Sequence, residues 1–359
     1  MKAEYRRLGD YIRQVDVRNK EQKVDLLLGL SIEKKFIPSI ANTIGTDMSS
    51  YKIVEPMQFA YVPVTSRNGD KITIALYKGG EKAIISQAYT VFEVTDTDTL
   101  MQDYLMLWFL RPEFDRYARF KSHGSAREVF DWDEMCNVML PVPPIEEQRR
   151  IVEQYQTVER RIKNNERLIA LLEDTAQTIF RHRFVENIDP NNLPEGWRMG
   201  TVGELFELQR GYDLPEQARR QGTSPIYAST GICGYHNEYK VSAPGVVTGR
   251  SGTIGKVMYV HDEFWPLNTT LYIKDASSSS FEFAYYKLQE LQLDKTVAGF
   301  AAVPTLNRND VHAMASAIPP TEEIRDFSIK ARQLLSEIKL VQTENELLSE
   351  TKQLLISRL

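Results

Sequence analysis

The stretch Gly249-Arg250-Ser251-Gly252-Thr253-Ile254-Gly255-Lys256 comes nearest to a known chemical device. A phosphate-cradling loop needs a glycine, four residues, Gly-Lys and then Ser or Thr, so that backbone N–H groups and the lysine surround the anion. Here Arg250 stands where the first glycine belongs and Val257 follows the lysine, so the stretch reads as a hairpin turn with a basic tip. The dinucleotide glycine pattern and Gly-x-Ser-x-Gly are both absent, as is an Asn-Pro-Pro-Tyr-like tetrapeptide for base methylation. Cys136 and Cys233 lie far apart in no metal or redox spacing, and the five His residues are scattered. Both thiols are therefore read as reduced, in a compartment such as the cytosol, with no metal site. No acidic–lysine cluster suited to a nuclease metal is evident. A chain of 359 residues without a catalytic constellation reads as a binding protein.

The elements that would position such residues come in two copies. Pro143-Pro144-Ile145-Glu146-Glu147-Gln148-Arg149 returns as Pro319-Pro320-Thr321-Glu322-Glu323-Ile324-Arg325, a shift of 176 residues. The same shift pairs Ile162-Lys163 with Ile338-Lys339, Leu171-Leu172 with Leu347-Leu348, and Thr175 with Thr351. Upstream, Leu8-Gly9-Asp10 resembles Val202-Gly203-Glu204 at a shift of 194, so the second globular part is 18 residues shorter. After each Pro-Pro, apolar residues alternate spacings of four and three, the pattern of a coiled-coil seam. One seam runs through Ile151, Tyr155, Val158, Ile162, Asn165, Ile169, Leu172, Ala176 and Ile179. The other runs through Ile324, Phe327, Ala331, Leu334, Ile338, Val341, Asn345, Leu348, Lys352 and Leu355. A helix over 145–183 would span ~58 Å at ~1.5 Å per residue. Ile151, Ile162, Asn165, Leu172, Ile338, Asn345 and Leu348 are the helix-pairing candidates. In an antiparallel pair Asn165 and Asn345 fall near each other, where a buried Asn pair would set register; a solvent-facing polar gap is the competing reading.

The heads are mixed. Strands are expected at 71–77 and 89–94 and a helix over 99–120 in the first; a hairpin of 245–249 with 256–260, a strand at 270–273 and a helix at 281–293 in the second. Tyr61, Tyr77, Tyr89, Trp108, Phe109, Trp265, Tyr272 and Tyr285 sit at core spacings. The fold class is α+β: two heads, 1–142 and 189–318, and two long antiparallel helices, 143–188 and 319–359, as an internal duplication with pseudo-twofold symmetry. Net charge is −5; residues 1–142 hold 19 basic and 20 acidic side chains, and 191–318 hold 11 and 13. Neither head is basic as a whole, so a nucleic-acid face would need a one-sided arrangement of charge. No run of ~18 apolar residues exists to span a bilayer, and the start, through Arg7, is too polar for a signal peptide.

The chain resembles the DNA-sequence specificity subunit of type I restriction–modification systems. The residues that carry the resemblance are Gly124-Ser125-Ala126-Arg127 leading to Leu140-Pro141-Val142-Pro143-Pro144-Ile145-Glu146-Glu147-Gln148, then Leu193-Pro194-Glu195-Gly196-Trp197. Arg250-Ser251-Gly252-Thr253-Ile254-Gly255-Lys256 and Trp265-Pro266-Leu267-Asn268 complete the set, and the match covers essentially the whole chain. Two departures occur: Ile324 replaces Gln148 in the second copy, and Ala301-Ala302-Val303-Pro304 stands where 124–127 would recur. The resemblance implies a non-catalytic, cytoplasmic DNA reader whose heads are target recognition domains on the halves of a bipartite double-stranded site. The paired helices would act as a ruler and dock two methyltransferase subunits, with a restriction/translocase subunit as an optional further member. S-adenosylmethionine would be held by the methyltransferase partners, which flip and methylate adenine, and no cofactor by this chain.

On that reading Arg and Lys suit guanine, Asn and Gln suit adenine, and other basic residues hold phosphates. The candidates in the first head are Lys34, Lys35, Arg67, Asn68, Lys71, Ser122, His123 and Arg127. In the second they are Arg210, Tyr212, Arg219, Arg220, Gln221, Arg250 and Lys256, with Arg219-Arg220-Gln221 the best placed. The competing reading of each is a solvated surface charge. Two other functions compete: a free-standing coiled-coil DNA-binding regulator, and an enzyme with an unrecognised site. Two non-identical heads in one chain argue against the regulator, because repressors usually pair identical chains.

Overall fold

In the computed structural model, which describes residues 4–39, 47–66, 69–123, 128–297 and 305–359, the chain forms two units, Met1–Lys163 with Glu346–Leu359, and Asn164–Asn345. In the first unit Tyr5–Arg7 pairs antiparallel with Met139–Pro141, so the two ends of the head lie side by side. A helical turn, Leu8–Asp10, follows, with Leu8 N donating to Val138 O at 2.8 Å. Glycine is required at Gly9, where a Cβ would stand 2.8 Å from Cys136 Cβ. The main sheet orders Ile12–Val15, Thr90–Val94, Phe59–Tyr61 and Ile74–Leu76, all antiparallel. Its buried side chains, among them Phe59, Tyr61 and Phe92, pack against helices α1 (Gln102–Phe109) and α2 (Pro112–Lys121). The single helix expected over 99–120 is thus two: Pro112 takes the first position of α2, where its missing N–H is harmless, and the chain bends just before it. Helix α3 (Trp132–Cys136) is capped by Asp131, which accepts from Glu134 N at 2.8 Å, and returns the chain to the closing strand.

The second unit repeats that order. Arg198–Thr201 pairs with Ala315–Ile318, and Val202 N, in the turn Val202–Glu204, donates to Met314 O at 2.9 Å. Its main sheet orders Glu207–Arg210, Thr270–Asp275, Gly245–Gly249 and Val257–Val260, the last two forming the expected hairpin. Helix α5 (Phe281–Glu290) follows Thr270–Asp275, as α1 follows Thr90–Val94 in the first unit; the short α6 (Leu293–Val297) comes next. Helix α7 (Arg308–His312) precedes the closing strand, as α3 does. A separate sheet sets Ser224–Ala228 between Gly231–His236 and Trp265–Pro266. Of the expected core aromatics, Tyr61, Tyr77, Trp108, Phe109, Trp265 and Tyr272 are buried, while Tyr89 and Tyr285 are half-buried.

Two long helices, α4 (Ile145–Phe184) and α8 (Thr321–Ser357), leave the heads after the Pro-Pro pairs. Within the second unit they run antiparallel: Asn165 Nδ2 donates to Glu344 Oε2 at 2.9 Å, and Phe180 meets Phe327 at 5.4 Å between ring centroids. Phe184, Phe283 and Tyr286 join those rings and seal α5 against both helices. Within the first unit Lys352 pairs with Glu159 at 2.9 Å and lies over the Tyr155 ring, while Ile356 and Leu359 reach the core of the head. Among the pairing candidates Asn165 and Ile338 are buried, and Ile151, Ile162, Leu172, Asn345 and Leu348 are half-buried. Asn165 is therefore a buried polar seam residue, with its donor matched to the residue beside Asn345.

The departure at Gln148 has a packing cause. Its side chain is fully buried; Nε2 donates to Thr99 O (2.7 Å) and Pro143 O (2.8 Å), and Oε1 accepts from Met101 N (2.9 Å). One amide thereby fastens the start of α4 to the start of α1. At the matching position Ile324 is 2% exposed and packs among apolar side chains of the second core, where a glutamine would be unpartnered. Replacing Gln148 by Ala strands backbone groups out of water, at about 1–3 kcal/mol for such a loss. The expected outcome for Gln148→Ala is a loss of about 3 kcal/mol in urea unfolding; a loss no larger than an exposed-site control would show that the amide fastens nothing.

Candidate nucleic-acid interface

The second head gathers three of its candidates around one cavity of about 790 Å³, lined by Gln209, Arg210, Tyr212, Asp213, Arg250, Asn307 and Arg308, among others. Arg210 ends the strand Glu207–Arg210, and Gly211 follows because a Cβ there would sit 2.2 Å from Leu267 O. Arg250 leaves the central strand, held by its N–H to Thr269 O (2.9 Å) and by Leu306 N to its own carbonyl (2.8 Å). Gly249 before it lies so close to Thr253 O that no side chain fits. Arg308 opens α7, which Asn307 caps by accepting from Asn309 N at 3.1 Å. Tyr212 stands half-buried with its hydroxyl 2.9 Å from Tyr272 Oη, and burial raises the Tyr272 pKa above the ordinary phenol value. Asp213 accepts from Asn268 Nδ2.

Among the described residues the guanidiniums of Arg210, Arg250 and Arg308 have no ion-pair partner. By contrast Arg198 pairs with Glu204 and Arg332 with Glu282, both at 2.7 Å, and Lys274 with Glu207 at 3.2 Å. The cations paired here belong to the frame of the head or to α8, while three without an ion pair line the cavity. Three cations and one carboxylate, Asp213, thus stand around the cavity. Arg308 and Asn307 were not among the sequence candidates. The Asn307 cap signal was legible, but nothing local shows that α7 stands beside Arg210 and Arg250.

Arg219, Arg220 and Gln221 lie elsewhere on the same head. Arg220 N donates to His236 Nδ1 at 3.0 Å, and Gly222 packs so tightly on the 236–237 backbone that a Cβ would be 2.2 Å from His236 O. This anchors the loop at the His236 end of the hairpin formed by Ser224–Ala228 and Gly231–His236. Lys256 is at the other end, its Nζ donating to Thr230 O at 2.6 Å. The structure thus brings Arg210, Tyr212 and Arg250 together and sets Arg219–Gln221 apart from them.

In the first head Lys34 requires a correction. It is buried, its ammonium 2.8 Å from Asp115 and donating to Phe109 O, so it holds the core and has no free charge for a phosphate. Burial lowers its pKa, and Asp115 opposes the shift. Lys35 and Lys71 are exposed. Arg67, Asn68 and Arg127, with the motif 124–127 and the stretch 301–304, lie outside the described residues. Their flanks are joined: Arg119 Nη1 donates to Gly69 O (2.7 Å), Thr65 Oγ1 to Ser122 Oγ (3.0 Å), and Thr65 N to Glu128 O (3.0 Å). The exposed His123 exchanges backbone hydrogen bonds with Val129 at 3.1 and 2.9 Å.

One imidazole ties α7 to the strand that carries Arg210: Leu208 N donates to His312 Nε2 at 2.8 Å, which requires the neutral ring. Burial, and then the Arg308 charge, hold the His312 pKa below the ordinary imidazole value, with Glu207 opposing. The unfolded chain takes up the proton first as pH falls, so this group's stabilisation is full above the ordinary value and is lost as pH drops through the lower folded one. Between about pH 7.5 and about pH 5 the wild type should lose more stability than His312→Gln, whose amide oxygen accepts without titrating. Parallel thermal-melt profiles for the two would contradict this.

No helix among the described residues is long and apolar enough to cross a membrane, and no three or more His, Cys, Asp or Glu side chains group to hold a metal ion. Comparison with known proteins places the architecture. The model of the type I restriction modification DNA specificity domain matches residues 17–174 and again 194–348. The Type I restriction enzyme MjaIX specificity subunit of Methanocaldococcus jannaschii is 20% identical over 298 residues, 73% of this chain and 69% of its own. The crystal structure of the type I restriction–modification S subunit from M. genitalium shares the fold, with TM-score 0.65 at 14% identity over 98% of this chain and 94% of its own. A chain solved for complex assembly and conformational transition of the type I R-M system has TM-score 0.51 at 16% identity, over 99% of this chain and 96% of its own. With both copies of the domain matched, the chain belongs to the type I restriction–modification DNA specificity family.

Proposed function

We propose that this chain is the sequence-reading subunit of a type I restriction–modification complex and contributes no catalytic group of its own. Each head binds one half of a split double-stranded site. The observation that carries the reading is the cavity where Arg210, Arg250 and Arg308 converge without an ion pair to any carboxylate among the described residues, in a head that has more acidic than basic residues. Guanidinium forks match both phosphate oxygens and the guanine edge, so such a cavity suits a duplex backbone bordered by base contacts. Arg219-Arg220-Gln221 is a second contact, anchored by His236.

Helices α4 and α8 dock two methyltransferase subunits in this reading and set the separation of the half-sites. Supporting this, α4 exposes Leu168 and Leu171 and α8 exposes Leu340, Leu347 and Leu354, apolar side chains that a partner would cover. S-adenosylmethionine and the flipped adenine belong to those partners, a nuclease subunit is an optional addition, and the complex works in the cytosol.

Methylation mapping of cells with and without this chain is the direct test: one bipartite methylated motif should vanish, and an unchanged methylome would end the reading. On the mapped site, Arg308→Ala should weaken binding by a similar factor for every sequence and lower the salt slope by about 1. A loss confined to one base position would instead make Arg308 a base reader.

A further inference from the structure

The three-stranded sheet of the second head has a bare edge. Its outer strand, Gly231–His236, pairs with Ser224–Ala228, while Trp265–Pro266 on the far side meets only Ile226 and Tyr227. Most of the sheet is therefore a two-stranded ribbon. The register skips Cys233, because Ile226 pairs with Gly234 and Tyr227 with Ile232. That bulge brings Ile232 and Tyr235, three residues apart, onto one side, opposite Tyr227 and Pro225. They are 51% and 56% exposed, and Cys233 between them is exposed too.

Strand edges are commonly guarded by Lys or Pro, and this strand carries neither. The bulge interrupts the row of backbone N–H and C=O groups that an incoming protein strand would need, so strand addition is disfavoured. Charge points to a different occupant. Arg219 Nη1 lies 3.9 Å from where a Cβ on Gly234 would stand, and Arg220 N donates to His236. Lys256 Nζ donates to Thr230 O at the hairpin tip, and Lys240 Nζ lies 4.7 Å from the centre of the Trp265 ring, which His236 meets edge-on. Among the described residues none of these four cations has an ion pair. Two exposed carboxylates are near, Glu238 in the same stretch and Asp294 beside Gly255, and they pair with none of the four. Four cations against two carboxylates thus border an edge that is itself uncharged, in a chain of net charge −5. The major groove of B-DNA, ~12 Å wide, admits a two-stranded ribbon.

We propose that this hairpin is a reading ribbon: its Gly231–His236 edge enters the major groove of the second half-site, with Ile232 and Tyr235 against base edges and the four cations toward phosphates. This rests on the DNA-reading assignment above and adds base-contacting residues to it. Ile232 offers an apolar surface to a thymine methyl, and the Tyr235 hydroxyl can donate or accept.

The test uses the full chain, free and assembled with its methyltransferase partner, and duplexes of the mapped site. Cys233 is a native reporter, its alkylation by N-ethylmaleimide read on its own peptide by mass spectrometry. Binding of the mapped duplex should slow that alkylation several-fold, and the methyltransferase alone should leave it as in the free chain. Tyr235→Ala, at an exposed position, should weaken binding about tenfold and relax the preference at one base pair of the second half-site, within the range for a lost base contact. Tight duplex binding that leaves Cys233 as reactive as before would overturn the ribbon. Protection by the methyltransferase without DNA would do the same, since a protein would then cover the edge. Unchanged binding by Tyr235→Ala, or an equal loss on every substituted duplex, would overturn it as well. A wild-type complex that did not bind the mapped duplex at all would instead remove the DNA-reading assignment, and the ribbon with it.

Discussion

Each head is closed by an antiparallel pair made from its first strand and its last: Tyr5–Arg7 with Met139–Pro141, and Arg198–Thr201 with Ala315–Ile318. Paired strands lie ~4.8 Å apart, so the chain leaves each head where it came in. The Pro-Pro pair and the long helix start directly from that closure. Everything between the paired strands becomes a closed lobe whose loops need not carry the chain onward. The helical turns after Arg7 and Thr201, the four-stranded sheets and the short helices before the closing strands all recur within that frame. The lobes differ in what they hang on it: two extra two-stranded pairs in the first, a three-stranded sheet in the second.

The same division of labour governs charge. Ion pairs such as Arg332–Glu282 and Lys339–Asp262 join the second head to α8, and Lys352–Glu159 joins α8 to α4 within the first unit. Among the cations without an ion pair are the three arginines that line the cavity of the second head, one ending a strand, one leaving a strand and one opening α7. A slightly acidic composition and a cationic cavity are therefore compatible, because Arg210, Arg250 and Arg308 stand clear of carboxylates that pair elsewhere, such as Glu204, Glu207 and Glu282.

The sequence revealed what local chemistry determines. The repeated Pro-Pro, the four-three spacing and the glycine-rich turn at 249–255 each specify their conformation within a few residues, and helices and hairpin stand where those signals lie. The candidate site was legible only in part. Arg210 and Arg250 were found because they border strands and turns, but Arg308 comes to them from a helix about a hundred residues beyond the first strand of its head, and no periodicity reports that meeting. Lys34 misled for the same reason: its neighbours in sequence are polar, and only a contact with Asp115, 81 residues away, turns it inward. Gln148 and Ile324 look like motif and erosion in one dimension, and are two different fastenings in three.

Three guanidiniums face one cavity against a single carboxylate, Asp213, and the fold that holds them there bears the uncompensated repulsion for as long as the cavity is empty. The second head is thus electrostatically frustrated in isolation, and any polyanion that neutralises the cavity relaxes it, whatever its sequence. Discrimination must then come from what the polyanion offers next to the cavity, not from the relief itself. Such a head would sample many wrong sites quickly and linger only where the neighbouring contacts also fit.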